Sequence, residues 1–205
     1  RGTHVPLLIR WPGHVAPHSE SSALICGTDL GPTILEACGM KPAGGMTGKS
    51  FVGELTGKKP TDRSYVFAER GWHFGPITRT DGLDFSRSIT STRYRYIYNA
   101  LPERSYTPVD MADKDAWKAI QQAQAAGRLS PLHQRLYFQK PRPMTELYDL
   151  QNDPLELHNL SGNTFTSETE DTLRKALEAW MIRESDFLPL PTHALQTTRK
   201  KSTDK

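Results

Sequence analysis

A continuous apolar run, "VPLLI" from Val5 to Ile9, opens the chain and is closed by Pro12 and Gly13. Apolar residues without alternation predict a short strand buried on both faces of a parallel or mixed sheet. A second run, "SALI", leads into a predicted helix. Thr28 or Asp29 can cap it, Pro32 falls in its first turn, and Gly39 stands where a helix ends. Leu30, Ile34, Leu35 and Cys38 recur at helical spacing and form its apolar stripe. From Met40 to Asp62 the periodicity fades while Gly, Pro and Lys accumulate, the mark of a surface connection, and a boundary is placed near Lys58.

Beyond that boundary the pattern changes to alternation. "SYVFAE", "SRSITS", "RYRYIYN" and "TELYDL" read as strands, and in the third Tyr94, Tyr96 and Tyr98 share one face while Arg93, Arg95 and Ile97 share the other. Together they predict a small antiparallel sheet. Two helices are predicted around it. "DMADKDAWKAIQQAQAAG" has Asp110 to cap it and Gly127 to end it. "TSETEDTLRKALEAWMIRESD" has a capping box in Ser167 and Glu170, and its stripe of Leu173, Leu177, Trp180 and Met181 is predicted to cover one face of the sheet. No internal repeat is visible.

With 205 residues there is material for one good core or two small ones. A hydrophobic content of 36% with 15 Pro and 15 Gly describes a loop-rich globular chain and excludes a helical bundle. The formal charge of +3 is too mild for a nucleic-acid binder, and the one dense basic run, "RKKSTDK", reads as a frayed tail over residues 191–205. No apolar run approaches the ~18 residues that span a bilayer. The first residue is Arg, with no signal-like stretch after it, so it is not expected to be the start of the gene product. Cys26 and Cys38 would pair only if the elements holding them approach each other, which spacing does not decide.

The segment "ELYDLQNDPLELHNL", Glu146 to Leu160, is by local chemistry a strand followed by a turn, since Asn152, Asp153 and Pro154 stop an extended run. It also resembles the closing signature of the sulfatase family. The opening "RGTHVPLLIRWPG", followed by "DLGPTILEACG" and "GMTGKSF", is similar to that family's segments in the same order, and "RSYVFAERGWH" and "RSITSTRYRYIYN" resemble the strands that follow. The match touches most of residues 1–162 and leaves a gap from about Leu101 to Pro143. Order and spacing together make it specific.

The resemblance implies the C-terminal portion of a formylglycine-dependent sulfatase of the alkaline-phosphatase superfamily, nearest to the heparan-type and sulfamidase-like members. Its fold would be α/β: the end of an alkaline-phosphatase-like α/β domain in residues 1–58, then a small α+β subdomain in residues 59–190 with an antiparallel sheet and a packed C-terminal helix. The implied reaction is hydrolysis of sulfate esters or sulfamates, with a sulfated saccharide as substrate. A related phosphodiesterase or phosphonate hydrolase, or a non-catalytic truncated paralogue acting as a binding module, is the alternative. The family's nucleophile is a formylglycine made from Cys or Ser in a C/S-x-P-x-R motif, beside a Ca2+ held by Asp and Asn; the hydrated aldehyde offers a hydroxyl and the hard cation neutralises sulfate charge. Cys26 is followed by Gly-Thr-Asp and Cys38 by Gly-Met-Lys, so neither fits that motif. The nucleophile is therefore expected upstream, where the resemblance also implies the metal ligands and catalytic lysine; the missing N-terminal part of the protein is the expected partner, and export to the periplasm, cell exterior or lysosome is implied by the family alone.

Within the chain, "AERGWHFGP" carries the candidate site. A strand ends near Glu69 and a Gly- and Pro-bearing loop follows, where Arg70, Trp72 and His73 would contact substrate. A guanidinium grips a sulfate or carboxylate through two parallel hydrogen bonds, and a Trp face suits a sugar ring. The bland alternative is a Glu69–Arg70 surface pair beside a packed Trp. His4, at the head of the first apolar run, is the fourth candidate. His14 and His18 are four apart, but Pro17 between them argues for loop histidines rather than metal ligands, and Asp29 reads as a helix cap.

Overall fold

The computed structural model describes residues 3–72, 83–106, 108 and 111–191. The expected sheet is present. Its strands are β1 (Val66–Arg70), β2 (Ser86–Thr90), β3 (Tyr94–Asn99) and β4 (Thr145–Asp149), antiparallel throughout in the order β1-β2-β3-β4. Register pairs Phe67 with Ile89, Ile89 with Tyr96, and Tyr96 with Leu147, so these four side chains lie on one face. Helix α5 (Ser167–Arg183) covers that face, as the stripe predicts. Leu173, Leu177 and Met181 join Ile89, Tyr96, Tyr98, Leu147 and Leu188 in the core, and Trp180 stacks on Phe67 with centroids 5.0 Å apart.

Alternation sends Arg95, Glu146 and Tyr148 to the opposite face. Here lies the physical content of the Glu146–Leu160 segment, whose polar residues fasten a loop over β4. The carboxylate of Asp153 accepts the backbone N–H groups of Leu157 and His158, and Glu156 pairs with the buried Arg95. The Asn159 amide accepts from Leu147 N–H (2.9 Å) and donates to Thr145 C=O (3.1 Å).

Between β3 and β4 the chain makes a long excursion that contains α3 (Asp115–Ala125) and α4 (Pro131–Phe138). Helix α3 begins later than expected; Asp110 lies outside the described residues, while Gly127 ends the helix at φ +64° as predicted. Helix α4 was not expected from the sequence, although Ser130 capping the N–H of His133 and Pro131 at the first helical position are ordinary start signals. The α5 capping box is also corrected. Ser167 is already helical because a 3-10 turn (Thr164–Thr166) feeds directly into it, and Glu170 reaches past it to Ser161 Oγ (2.5 Å) and Gly162 N–H (2.9 Å).

The largest correction concerns the beginning of the chain. "VPLLI" and "SALI" are irregular, with Val5, Leu7, Leu8 and Ile9 exposed. A strand exists through bonds to a neighbouring strand, and none of the described residues offers one to these runs. Helix α1 (Leu30–Ala37) forms as predicted and ends at Gly39 with φ +74°, yet Leu30 and Ile34 of its stripe are exposed. A four-residue helix α2 (Val52–Leu55) follows where a connection was expected. Both cysteines are free thiols.

The reading of Asp29 as a helix cap is corrected: it stands at the start of α1 but its side chain makes no capping bond to that helix. Buried at 1% exposure, its carboxylate accepts the N–H of Cys26 (2.7 Å), the N–H of Lys49 (2.8 Å) and the guanidinium of Arg63 (2.7 Å). The approach of the Lys49 segment depends on Gly48, where a Cβ would stand 2.0 Å from the Thr28 carbonyl oxygen. Asp29→Ala strands a guanidinium and two N–H donors, and is expected to cost about 3 kcal/mol, measurable as a lowered denaturation midpoint; Gly48→Ala is expected to lower it as well.

Candidate functional site

Arg70 closes β1, opposite Ser86 of β2. Strand alternation separates it from Glu69, whose carboxylate instead lies 3.8 Å from Arg87. The bland Glu69–Arg70 pair is thereby set aside: Arg70 reaches Asp84 (3.2 Å) and lies 5.3 Å from the ring centroid of Tyr106. Its backbone is fixed too, since its carbonyl accepts Nη1 of the buried Arg87 (2.9 Å). About a third of the Arg70 side chain remains in solvent.

Asp84 is 5% exposed and holds a second arginine, Arg142, through Nη2 at 2.6 Å. Asp84 thus fixes the positions of two guanidinium groups at this end of the sheet. Tyr106 is placed from behind by the excursion, where its ring meets Tyr137 of α4 (6.2 Å) and Tyr137 meets Trp117 of α3 (5.9 Å). Neither helix packs against the main core cluster, so their aromatic contacts serve to position Tyr106 and the adjoining surface.

Trp72, two residues beyond Arg70, is 64% exposed, which opposes its reading as a packed core ring. His73 lies outside the described residues. His4 is exposed in the irregular N-terminal segment, and no described contact joins it to the Arg70 cluster. His14 stacks on Trp11 at 4.1 Å. Asp84, Tyr106 and Arg142 were missed by sequence reasoning; two of them fall in the stretch from Leu101 to Pro143 where no family pattern is visible, and nothing local marks Asp84 and Arg142, 58 positions apart, as partners.

A cleft of about 470 Å³ opens beside this cluster, on the face of the sheet away from α5. Glu146 and Tyr148 of β4 form its floor, Arg135 and Gln139 of the α4 segment one wall, and Leu157 the other, with Tyr106 and Arg142 at the end shared with Arg70. The Tyr148 phenol is pushed up by burial and by the neighbouring Glu146, to which it donates, so it remains protonated across the physiological range.

Arranged this way, the residues can hold an anionic, hydroxyl-rich ligand but do not supply a nucleophile with its base. They also do not fit the cation that the resemblance implies. Among the described residues no three His, Cys, Asp or Glu side chains converge as a metal site requires.

The family described as N-sulphoglucosamine sulphohydrolase, C-terminal, matches residues 1–136. Two ulvan-active sulfatases of Formosa agariphila are similar to the chain, one 31% identical over 95% of it and 31% of the relative, the other 32% identical over 91% of it and 34% of the relative. The chain thus spans about a third of the length of these curated relatives. Among solved structures, that of BT4656 in complex with its substrate D-glucosamine-2-N,6-O-disulfate aligns with a TM-score of 0.58 at 18% identity, over 90% of this chain and 29% of that one, a likeness of fold.

Proposed function

The chain belongs to the N-sulphoglucosamine sulphohydrolase C-terminal family, and from that premise we propose that it is the C-terminal part of an exported sulfatase that hydrolyses sulfate esters, or sulfamates, of a saccharide. Residues 1–58 would complete the α/β catalytic domain, and residues 59–190 would form the subdomain that walls the substrate pocket. The exposed apolar faces of "VPLLI" and α1 support this division, because such faces ordinarily meet the rest of a domain. No helix among the described residues is long and apolar enough to cross a membrane.

The carrying observation is Arg70: a guanidinium oriented by Asp84 and Tyr106, with the exposed ring of Trp72 two residues away. Arg70 would bond an anionic substituent of the sugar, Trp72 would stack on a ring face, and His73 and His4 are the remaining proposed contacts. Held on a sheet end by Arg87, Arg70 needs little reorganisation on binding, which favours affinity. The formylglycine and Ca2+ of the family belong to this reading as groups held outside the chain. They would supply the nucleophilic hydroxyl and charge neutralisation at the reacting sulfate, and the residues of this chain would orient the sugar.

That the relatives are named ulvan-active sulfatases supports this reading. The test is release of inorganic sulfate. The whole protein that carries this chain is expected to desulfate a sulfated saccharide, and the purified 205-residue chain to release none, with or without Ca2+. Turnover by the chain alone that rises with its concentration and survives repurification would overturn the division of labour.

A further inference from the structure

We propose that the cleft between α4 and the outer face of β4 is a second saccharide subsite, taking an anionic sugar unit next to the one held at Arg70. The inference rests on the reading of Arg70 as a saccharide contact, and extends it to residues that carry no family pattern. Continuity comes first: Tyr106 and Arg142 line the cleft and also form the Arg70 cluster, through a ring 5.3 Å from the Arg70 guanidinium and a shared Asp84. The cleft therefore begins at the two residues, Tyr106 and Arg142, that border the Arg70 cluster.

Size and chemistry agree with a sugar. The volume of about 470 Å³ falls within the range of roughly 300–1,000 Å³ usual for small-ligand sites. Aromatic and aliphatic surfaces alternate with amide, hydroxyl and guanidinium groups, which suits a ring with an apolar face and a hydroxylated edge.

Charge selects an acidic unit. The two carboxylates of the cleft are already engaged: Glu156 by Arg95, and Glu146 by the Tyr148 hydroxyl and by Asn99 Nδ2 at 2.6 Å. Arg135, on one wall, donates to the Leu157 carbonyl (2.9 Å) and pairs with no carboxylate among the described residues, so its charge is available to an anionic substituent. Arg142 also retains a buried Nε donor with no hydrogen-bond partner.

The experiment uses the whole protein, a sulfated monosaccharide, and a sulfated disaccharide with the same reacting unit. Arg135→Gln, and separately Gln139→Trp, which fills the cleft, are expected to lower kcat/KM for the disaccharide roughly tenfold while leaving the monosaccharide within twofold. Arg70→Ala is the comparison and is expected to weaken both. If both cleft variants keep the wild-type ratio between the two substrates with unchanged melting midpoints, the subsite is refuted even where Arg70→Ala behaves as expected. If Arg70→Ala alters neither substrate while the cleft variants still shift the ratio, the reading of Arg70 fails and the cleft stands on its own. Should one cleft variant melt early, the other decides.

Discussion

Arg87→Ala is expected to cost the fold about 3–5 kcal/mol, the largest stability effect of any single substitution considered for this chain. Arg87 is 3% exposed and forms a two-pronged pair with Asp186, Nε to Oδ2 at 2.5 Å and Nη2 to Oδ1 at 3.0 Å. Its Nη1 donates to the carbonyls of Arg70 and Ser86 (2.9 Å each), and its guanidinium lies 5.9 Å from the Phe187 ring centroid. Truncation leaves the Asp186 carboxylate, 5% exposed, without its cation and frees the end of β1. The contrast is Arg93→Ala. That arginine also pairs with a carboxylate, Asp149 at 2.8 Å, but is half exposed, and Asp149 keeps its bonds from Asn152 Nδ2 (2.9 Å) and Gln151 N–H (3.1 Å), so a smaller loss is expected. Urea unfolding of the two variants beside wild type checks the pair, and similar midpoints for both would contradict the account.

Acid titration tests the same pair from the other side. Burial alone would raise the Asp186 carboxyl, yet the bonds from Arg87 and from the N–H groups of Leu188 and Phe187 outweigh it and hold it below the usual carboxylate range. Asp149 is held at about 2, chiefly by Arg93. A carboxyl depressed in the folded state contributes stability above its unfolded pKa and loses it as pH falls through the folded one. Stability is therefore expected to hold down to about pH 4, near the unfolded carboxylate value, and to decline below it. In Arg87→Ala the loss of the cation leaves burial opposed only by the two N–H bonds, so the Asp186 carboxyl moves up toward its unfolded value and its share of the acid limb should shrink.

The sheet was legible because strand alternation is a local signal. The faces of β3 could be assigned from its Tyr and Arg positions alone, and the α5 stripe identified what covers one of them. "VPLLI" and "SALI" have equally strong local patterns and form no strand, because pairing requires a neighbour that a local pattern cannot supply. The Ser167–Glu170 box failed for a subtler reason: the spacing was right, but a preceding 3-10 turn had already placed Ser167 inside the helix and left Glu170 to bond Ser161 and Gly162. Of the proposed site, Arg70 and Trp72 could be named from a strand end and the loop after it. Asp84, Tyr106 and Arg142, which aim Arg70 and build the cleft, could not. Their association is tertiary, brought about by an excursion whose helices assemble through Trp117, Tyr137 and Phe138.

Arg70→Ala carries the second large effect and bears on the claim that this chain recognises the sugar while the reacting sulfate is handled elsewhere. The substitution spares the fold, because Asp84 keeps Arg142 at 2.6 Å and the Arg70 carbonyl still accepts from Arg87. What it removes is a charge-assisted bond worth about 1.5–3 kcal/mol, roughly ten- to a hundredfold in kcat/KM for a sulfated saccharide. A small aryl sulfate has no sugar to reach Arg70 and should be turned over as before. The deciding measurement is the ratio of kcat/KM for a sulfated saccharide to that for an aryl sulfate, in the whole protein, with Arg70 and with Ala in its place. The account predicts that this ratio falls at least tenfold with the aryl sulfate rate and melting midpoint unchanged; a parallel fall on both substrates at an unchanged midpoint, or no fall on either, would contradict it.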